Sequence, residues 1–280
     1  MNTLALADVI KSVRDLPSLP AVVIELLSSF DQSDASIDLL ADKVSRDQAV
    51  AAKTLRIANS SFYGLQRKVT TIQQAIIVLG LDCIRTLITA AAVTENFSSA
   101  QHASFDFKAF WRHSVATALC SKMLAREVKV NHDVAFITGL LHDIGKLVLV
   151  TSFPQQYSQA IAYRTTHDCY MLEAERKVLG VDHTVAGLAL AEYWKFPVVV
   201  QRAIGEHHAP KILDHKDIPG VVHVADAIVH ALDLSRQEDA LVPPMIESAW
   251  NSLNIAPGAL RTVFRQTESE FEEACQIFSV

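Results

Sequence analysis

No two cysteines in this sequence form a CxxC pair: Cys83, Cys120, Cys169 and Cys275 lie far apart along the chain. That argues against a thiolate zinc site and a disulfide framework, and fits a reducing, cytoplasmic setting. Glycine and proline are sparse, nine of each in 280 residues. Long stretches are instead rich in Ala, Leu, Val, Glu and Lys, so turns are few and helix formers abundant. No stretch alternates apolar and polar residues between hairpin turns, so strands are not expected. A basic stripe is missing as well. The formal net charge is -6, which removes the broad attraction for phosphate backbones that non-specific nucleic-acid binding needs. Met1 to Arg14 lacks the basic start, apolar run and small-residue cleavage site of a secretory signal. The most apolar windows, Ile72 to Val93 and Phe136 to Val150, are interrupted by Asp82, Arg85, His142, Asp143 and Lys146. A membrane span would rarely accept these, so both windows read as buried core helices and no membrane association is expected.

Half the residues are apolar, enough for one large core or two smaller ones, and the fold class read from the pattern is all-α. Pro20 permits a helix in which Val23, Leu26, Leu27 and Phe30 recur at helical spacing. Ser36 to Leu40 opens a second helix with Leu39, Leu40 and Val44 inward. Asp47 caps the next, Asn59, Ser60, Ser61 and Gly64 supply turn chemistry, and Thr71 starts a helix that Gly80 stops before Leu81 to Thr94 resumes. Further helices are expected over 107–128, 131–151, 154–166, 169–178, 182–194, 197–208 and 218–234, with two tail helices over 244–253 and 256–278.

The histidines make the sequence specific. His113 has apolar helical neighbours in Ala109, Phe110, Ala116 and Cys120, so its ring points inward. His142 and Asp143 are adjacent polar groups in a buried segment, a costly arrangement without partners. His183 opens a helix whose same face carries Ala186, Gly187 and Leu190. His207 and His208 end a helix before Pro210, and Asp226 is flanked at helical spacing by Val222 and Val229. Any one of these side chains could be satisfied by a carbonyl, a cap or an ion pair. Seven together, from five helices of an apolar chain, point to divalent metal. A donor set of His and Asp without Cys suits iron, manganese, zinc, nickel or magnesium. An Asp can bridge two such ions, and the pair can activate a water while neutralising a phosphoryl oxygen. Lys146, one turn past His142 and Asp143, either reaches a phosphate oxygen as a point charge or snorkels to solvent.

This series, His113, His142-Asp143 followed by Ile144-Gly145-Lys146, His183, His207-His208 and Asp226, resembles the ligand set of the HD superfamily of metal-dependent phosphohydrolases, nearest its HD-GYP and HDOD branches. Leu16-Pro17-Ser18-Leu19-Pro20, Leu55 to Ser60, Ala75 to Gly80, Leu179 to His183, Trp194-Lys195-Phe196-Pro197 and His207 to Pro210 resemble the HDOD family in particular. The resemblance spans roughly 16–235. It implies an HD-domain-like helical bundle with an N-terminal helical subdomain. It also implies one metal held by His113, His142, Asp143 and Asp226, with Asp143 bridging to a second held by His183, His207 and His208. Asp47-Gln48 stands where the family usually has Asp-Pro. After His208 comes Ala209-Pro210-Lys211-Ile212, with no Glu and no Gly-Tyr-Pro segment, so cyclic-dinucleotide phosphodiesterase activity is not expected.

The expected sections are an N-terminal helical HDOD section over 1–104, an HD-type metal-binding core over 105–236 and C-terminal helices over 237–280 packing on that core. The expected function is metal-dependent hydrolysis of a phosphoester or nucleotide, with Asp143 and Lys146 at the reacting centre. The alternatives are a non-catalytic signalling module that binds a protein partner, with metal only cementing helices, and a nucleotide sensor without turnover.

Overall fold

The computed structural model describes residues 3–16, 18–28, 37–60, 63, 65–97, 102–212, 217–236 and 241–278. The described residues form helices and no strand. The first half comprises α1 (Leu6–Asp15), α2 (Ala21–Ser28), α3 (Ile37–Arg46), α4 (Gln48–Ala58), α5 (Ile72–Leu79) and α6 (Leu81–Asn96). Next come α7 (Phe107–Val128), α8 (His132–Leu141), α9 (Ile144–Ser152), α10 (Pro154–His167) and α11 (Met171–Val178). The last are α12 (His183–Tyr193), α13 (Val198–Glu206), α14 (Ile218–Ala231), α15 (Glu247–Leu253) and α16 (Pro257–Phe278).

Short polar side chains set several helix starts. Asp47 accepts from Val50 N, Thr71 from Gln74 N, Asp106 from Ala109 N, and Asp182 from Thr184 N and Val185 N, each satisfying an orphan amide of the first turn. Gln48 in place of proline therefore leaves the Asp47 cap intact. Gly80 ends α5 with φ 89°, a left-handed value that favours glycine. Asn59 does more than turn the chain: its side-chain amide bonds both Val69 N and Val69 O, pinning the return segment. Of the expected second helix, Val44 is buried, whereas Ser36 and the side chains of Leu39 and Leu40 lie outside the described residues, as do Phe30, Ser61 and Gly64.

Two features differ from expectation. The chain before Leu16 forms α1, whose buried Val9 and Val13 pack chiefly on α12 and α9, while Leu4 N donates to Leu179 O at 2.6 Å. Two apolar positions one turn apart were too little pattern to announce it. The helix expected over 131–151 is also broken, at His142 and Asp143, into α8 and α9.

The long α7 is buried along nearly its whole length, with α8, α14 and α16 around it. α9 lies against α12, α13 joins α12 to α14, and α6 links α2 and α4 to α8. His132–Ser152 is long and apolar enough to cross a membrane, but 83 % of its most apolar 18-residue stretch is buried inside this fold, as a pair of core helices would be. The α9/α12 contact is unusually close. A Cβ on Gly145 would stand 1.8 Å from His183 O and 2.5 Å from Gly187 N, so only glycine lets the two backbones meet. Gly145→Ala must push α9 from α12 and should cost about 1–3 kcal/mol, read as a lower melting temperature by calorimetry. An unchanged melting temperature would show that the contact separates freely.

Candidate metal centre

The break between α8 and α9 makes the site. Asp143 precedes α9 with φ -97° and ψ 9°, and its side chain does not cap the helix. The carboxylate instead turns inward, with an oxygen toward each of two groups of imidazoles. Oδ2 lies 3.4 Å from His142 Nε2 and 3.9 Å from His113 Nε2, and Oδ1 lies 3.3 Å from His183 Nε2 and 3.5 Å from His207 Nε2. Asp226, from α14, places Oδ1 3.0 Å from His113 Nε2 and 3.7 Å from His142 Nε2. His208 completes the second group, its Nε2 2.9 Å from that of His183. All seven residues singled out from the sequence thus meet in one cluster, buried except for the half-buried His208.

Hydrogen bonds at Nδ1 orient the rings. His142 Nδ1 donates to Gly139 O at 2.7 Å, His207 Nδ1 to Ile204 O at 3.0 Å, and His183 Nδ1 to Glu175 Oε2 at 2.6 Å. Each of these rings therefore turns its Nε2 into the cluster. His183 and His207 meet Nε2 to Nε2 at 3.3 Å, a contact between two acceptors. Burial holds His207 below the ordinary imidazole pKa and His208 well below it, so these rings resist relieving the contact by protonation. Burial, then His230, also lowers His113, to about 4. The buried Oδ1 atoms of Asp143 and Asp226 and His113 Nδ1 have no hydrogen-bond partner among the described residues. Donor atoms around an ion at about 2.1 Å stand roughly 3.0–3.4 Å apart, close to the spacing seen here. The residues present fit a metal site.

Burial opposes charge on both acids, but their neighbours win. Lys146, then His142, His207 and His183, hold Asp143 well below the usual carboxylate range, and His230, His113 and His142 do the same for Asp226. Lys146 neither reaches out to water nor stands alone. Its Nζ is 2.5 Å from Asp143 Oδ2, its side chain is only 19 % exposed, and it lines a cavity of about 860 Å³ together with His113, Asp143, His183, His208 and Asp226 of the cluster.

Three residues of the centre were missed in the sequence. His230 lies one turn beyond Asp226 on α14, with Nδ1 3.1 Å from Asp226 Oδ1; that four-residue spacing was the available signal. Glu175 stands among several charged residues of α11, yet it is fully buried. It accepts from both His183 N and His183 Nδ1 on Oε2, and from Tyr157 OH on Oε1 at 3.2 Å. His223 donates from Nδ1 to His207 O at 2.6 Å and accepts from Ile246 N at 2.9 Å, tying the second group to the segment before α15.

An all-helical bundle with buried His and Asp side chains converging at the floor of a cavity is the arrangement of an HD-type protein. The HDOD domain profile matches residues 16–210, and the chain belongs to that family. An HDOD domain protein of unknown function from Geobacter sulfurreducens superposes with a TM-score of 0.81 at 22% identity, covering 98% of each chain. A candidate phosphohydrolase from Shewanella amazonensis SB2B gives 0.74 at 26% identity, covering 98% of this chain and 97% of that one. An uncharacterized protein of Treponema pallidum (strain Nichols) is 23% identical over 233 residues, 81% of this chain and 44% of its own length. The chain spans less than half the length of the curated relatives it matches.

Glu175→Gln keeps the shape but removes the charge that orients His183. It should lower metal affinity by about 10- to 100-fold, measured as metal retained per chain after dialysis against graded chelator. Retention equal to that of the unaltered protein would deny Glu175 this role.

Proposed function

We propose that this chain holds two divalent cations and uses them to hydrolyse a phosphoester or nucleotide. The observation that carries the reading is the Asp143 carboxylate, set between two groups of imidazoles at the floor of a cavity of about 860 Å³. One ion belongs to His113, His142, Asp143 and Asp226, and the other to Asp143, His183, His207 and His208. Iron, manganese, zinc, nickel and magnesium all suit this donor set. When bound, such ions lower the pKa of water and neutralise phosphoryl oxygens.

The chain's own side chains do the rest. Asp143 orients both groups at once, and Glu175 and the two carbonyl acceptors keep the Nε2 lone pairs aimed inward. Lys146, held at the floor by Asp143, offers its ammonium to a phosphoryl oxygen where charge grows in the transition state. A reducing cytoplasm is part of the same reading.

One observation favours a second reading, a signalling module without turnover. The Lys146 ammonium already neutralises Asp143 from inside the cluster, so the helices stay joined with or without catalysis. In that case a protein partner docks on the N-terminal helices, where Ile77 and Val78 of α5 are exposed.

A broad panel of phosphomonoesters, phosphodiesters and nucleotides, assayed with protein loaded with manganese or iron, separates the two. Hydrolysis should appear and fall by at least about a hundredfold in Asp143→Ala. A loaded protein, its metal verified by elemental analysis, that cleaves nothing on the panel establishes the second reading instead.

A further inference from the structure

On the side of Asp226 the centre holds one more imidazole than its two groups use. His230 follows Asp226 by one turn of α14, lines the cavity and is only 17 % exposed at its side chain. Its ring centroid is 4.4 Å from that of His113. That is nearer than the 5.2 Å between His113 and His142 or the 5.3 Å between His183 and His207, pairs that share an ion in the reading above. Ligand atoms of His113, Asp226 and His230 all lie within 4.8 Å of one another.

The hydrogen bonds of His230 follow the pattern of the ligand rings. Its Nδ1 donates to Asp226 O at 3.0 Å, a carbonyl one turn back on the same helix. His142 and His207 are fixed in the same way, through Gly139 O and Ile204 O. Metal-ligating histidines almost always commit the second ring nitrogen like this, which sets the ring and leaves the other nitrogen for the ion. Asp226 Oδ1 adds an independent sign. It stands 3.0 Å from His113 Nε2 and 3.1 Å from His230 Nδ1, yet has no hydrogen-bond partner among the described residues. A buried carboxylate oxygen between two imidazoles, without a donor, is suited to a cation.

We propose that His230 is a metal ligand, a fifth protein donor to the ion of His113, His142, Asp143 and Asp226. The inference rests on the metal-binding reading above and adds which ion that position takes. Structural zinc is almost always four-coordinate, and catalytic zinc keeps three protein ligands. Three imidazoles and two carboxylates overfill that shell. They suit a six-coordinate ion, manganese or iron(II), with one position left for water or a phosphoryl oxygen. The other group, Asp143 with His183, His207 and His208, has four donors, so the selection applies to the first ion alone.

The full chain, stripped of metal, is titrated calorimetrically with manganese alone and with zinc alone. His230→Asn keeps an amide N–H near the place of Nδ1 and has no atom at Nε2; His230→Gln reaches the place of Nε2 with an amide oxygen. Manganese affinity should fall at least about tenfold in His230→Asn, zinc affinity should fall less, and His230→Gln should recover part of the loss. Crystals of the unaltered chain loaded with manganese, which need no variant to fold, should place a His230 nitrogen about 2 Å from an ion located by its anomalous signal. Undiminished manganese affinity in His230→Asn, equal losses of manganese and zinc, or an ion beyond bonding distance of His230 overturns the inference and leaves the two-cation reading standing. An unaltered chain that binds neither metal sinks both.

Discussion

The structure turns on one carboxylate. Asp143 reaches two groups of histidines only because the helix carrying it stops and restarts at that residue, and because α9 can then lie directly on α12, which brings His183. The second condition depends on hydrogen atoms where other residues have side chains, at Gly145 and Gly187. Packing of two helix backbones and the geometry of a polar centre are here a single constraint. A change that loosens the first necessarily moves the second.

Burying so many ionisable groups is unfavourable unless each answers another. Three rings, those of His142, His183 and His207, answer through Nδ1 atoms committed to carbonyls and to Glu175, and Asp143 answers through Lys146. At the centre, His113 Nδ1 and the Oδ1 atoms of Asp143 and Asp226 lack a hydrogen-bond partner among the described residues. Those inner atoms are suited to a cation.

Much of this was legible in the sequence, for physical reasons that differ from residue to residue. Helix starts were readable because Asp47, Thr71 and Asp106 announce themselves at the boundary of an apolar repeat. His113 and Asp226 were readable because a polar residue on an apolar face has few places to go. The break at His142 and Asp143 was hidden, since the residues on both sides keep a helical pattern and the turn comes from tertiary contact. Glu175 was hidden for the opposite reason. Its helix carries several charges, and only the approach of His183 marks one of them as interior. α1 was missed because its two buried valines gain their meaning from α12, far along the chain.

The clasp that His223 makes between His207 and Ile246 bears on where this unit can be cut. The family profile stops at residue 210, yet Asp226, His230 and two of the helices flanking α7 come later. A fragment trimmed to the matched span would keep the histidines of α7 to α13 and forfeit an acid, a cavity wall and the cover of the central helix. The smallest self-sufficient piece therefore runs through α16, and a shorter clone would be a different molecule rather than a smaller version of this one.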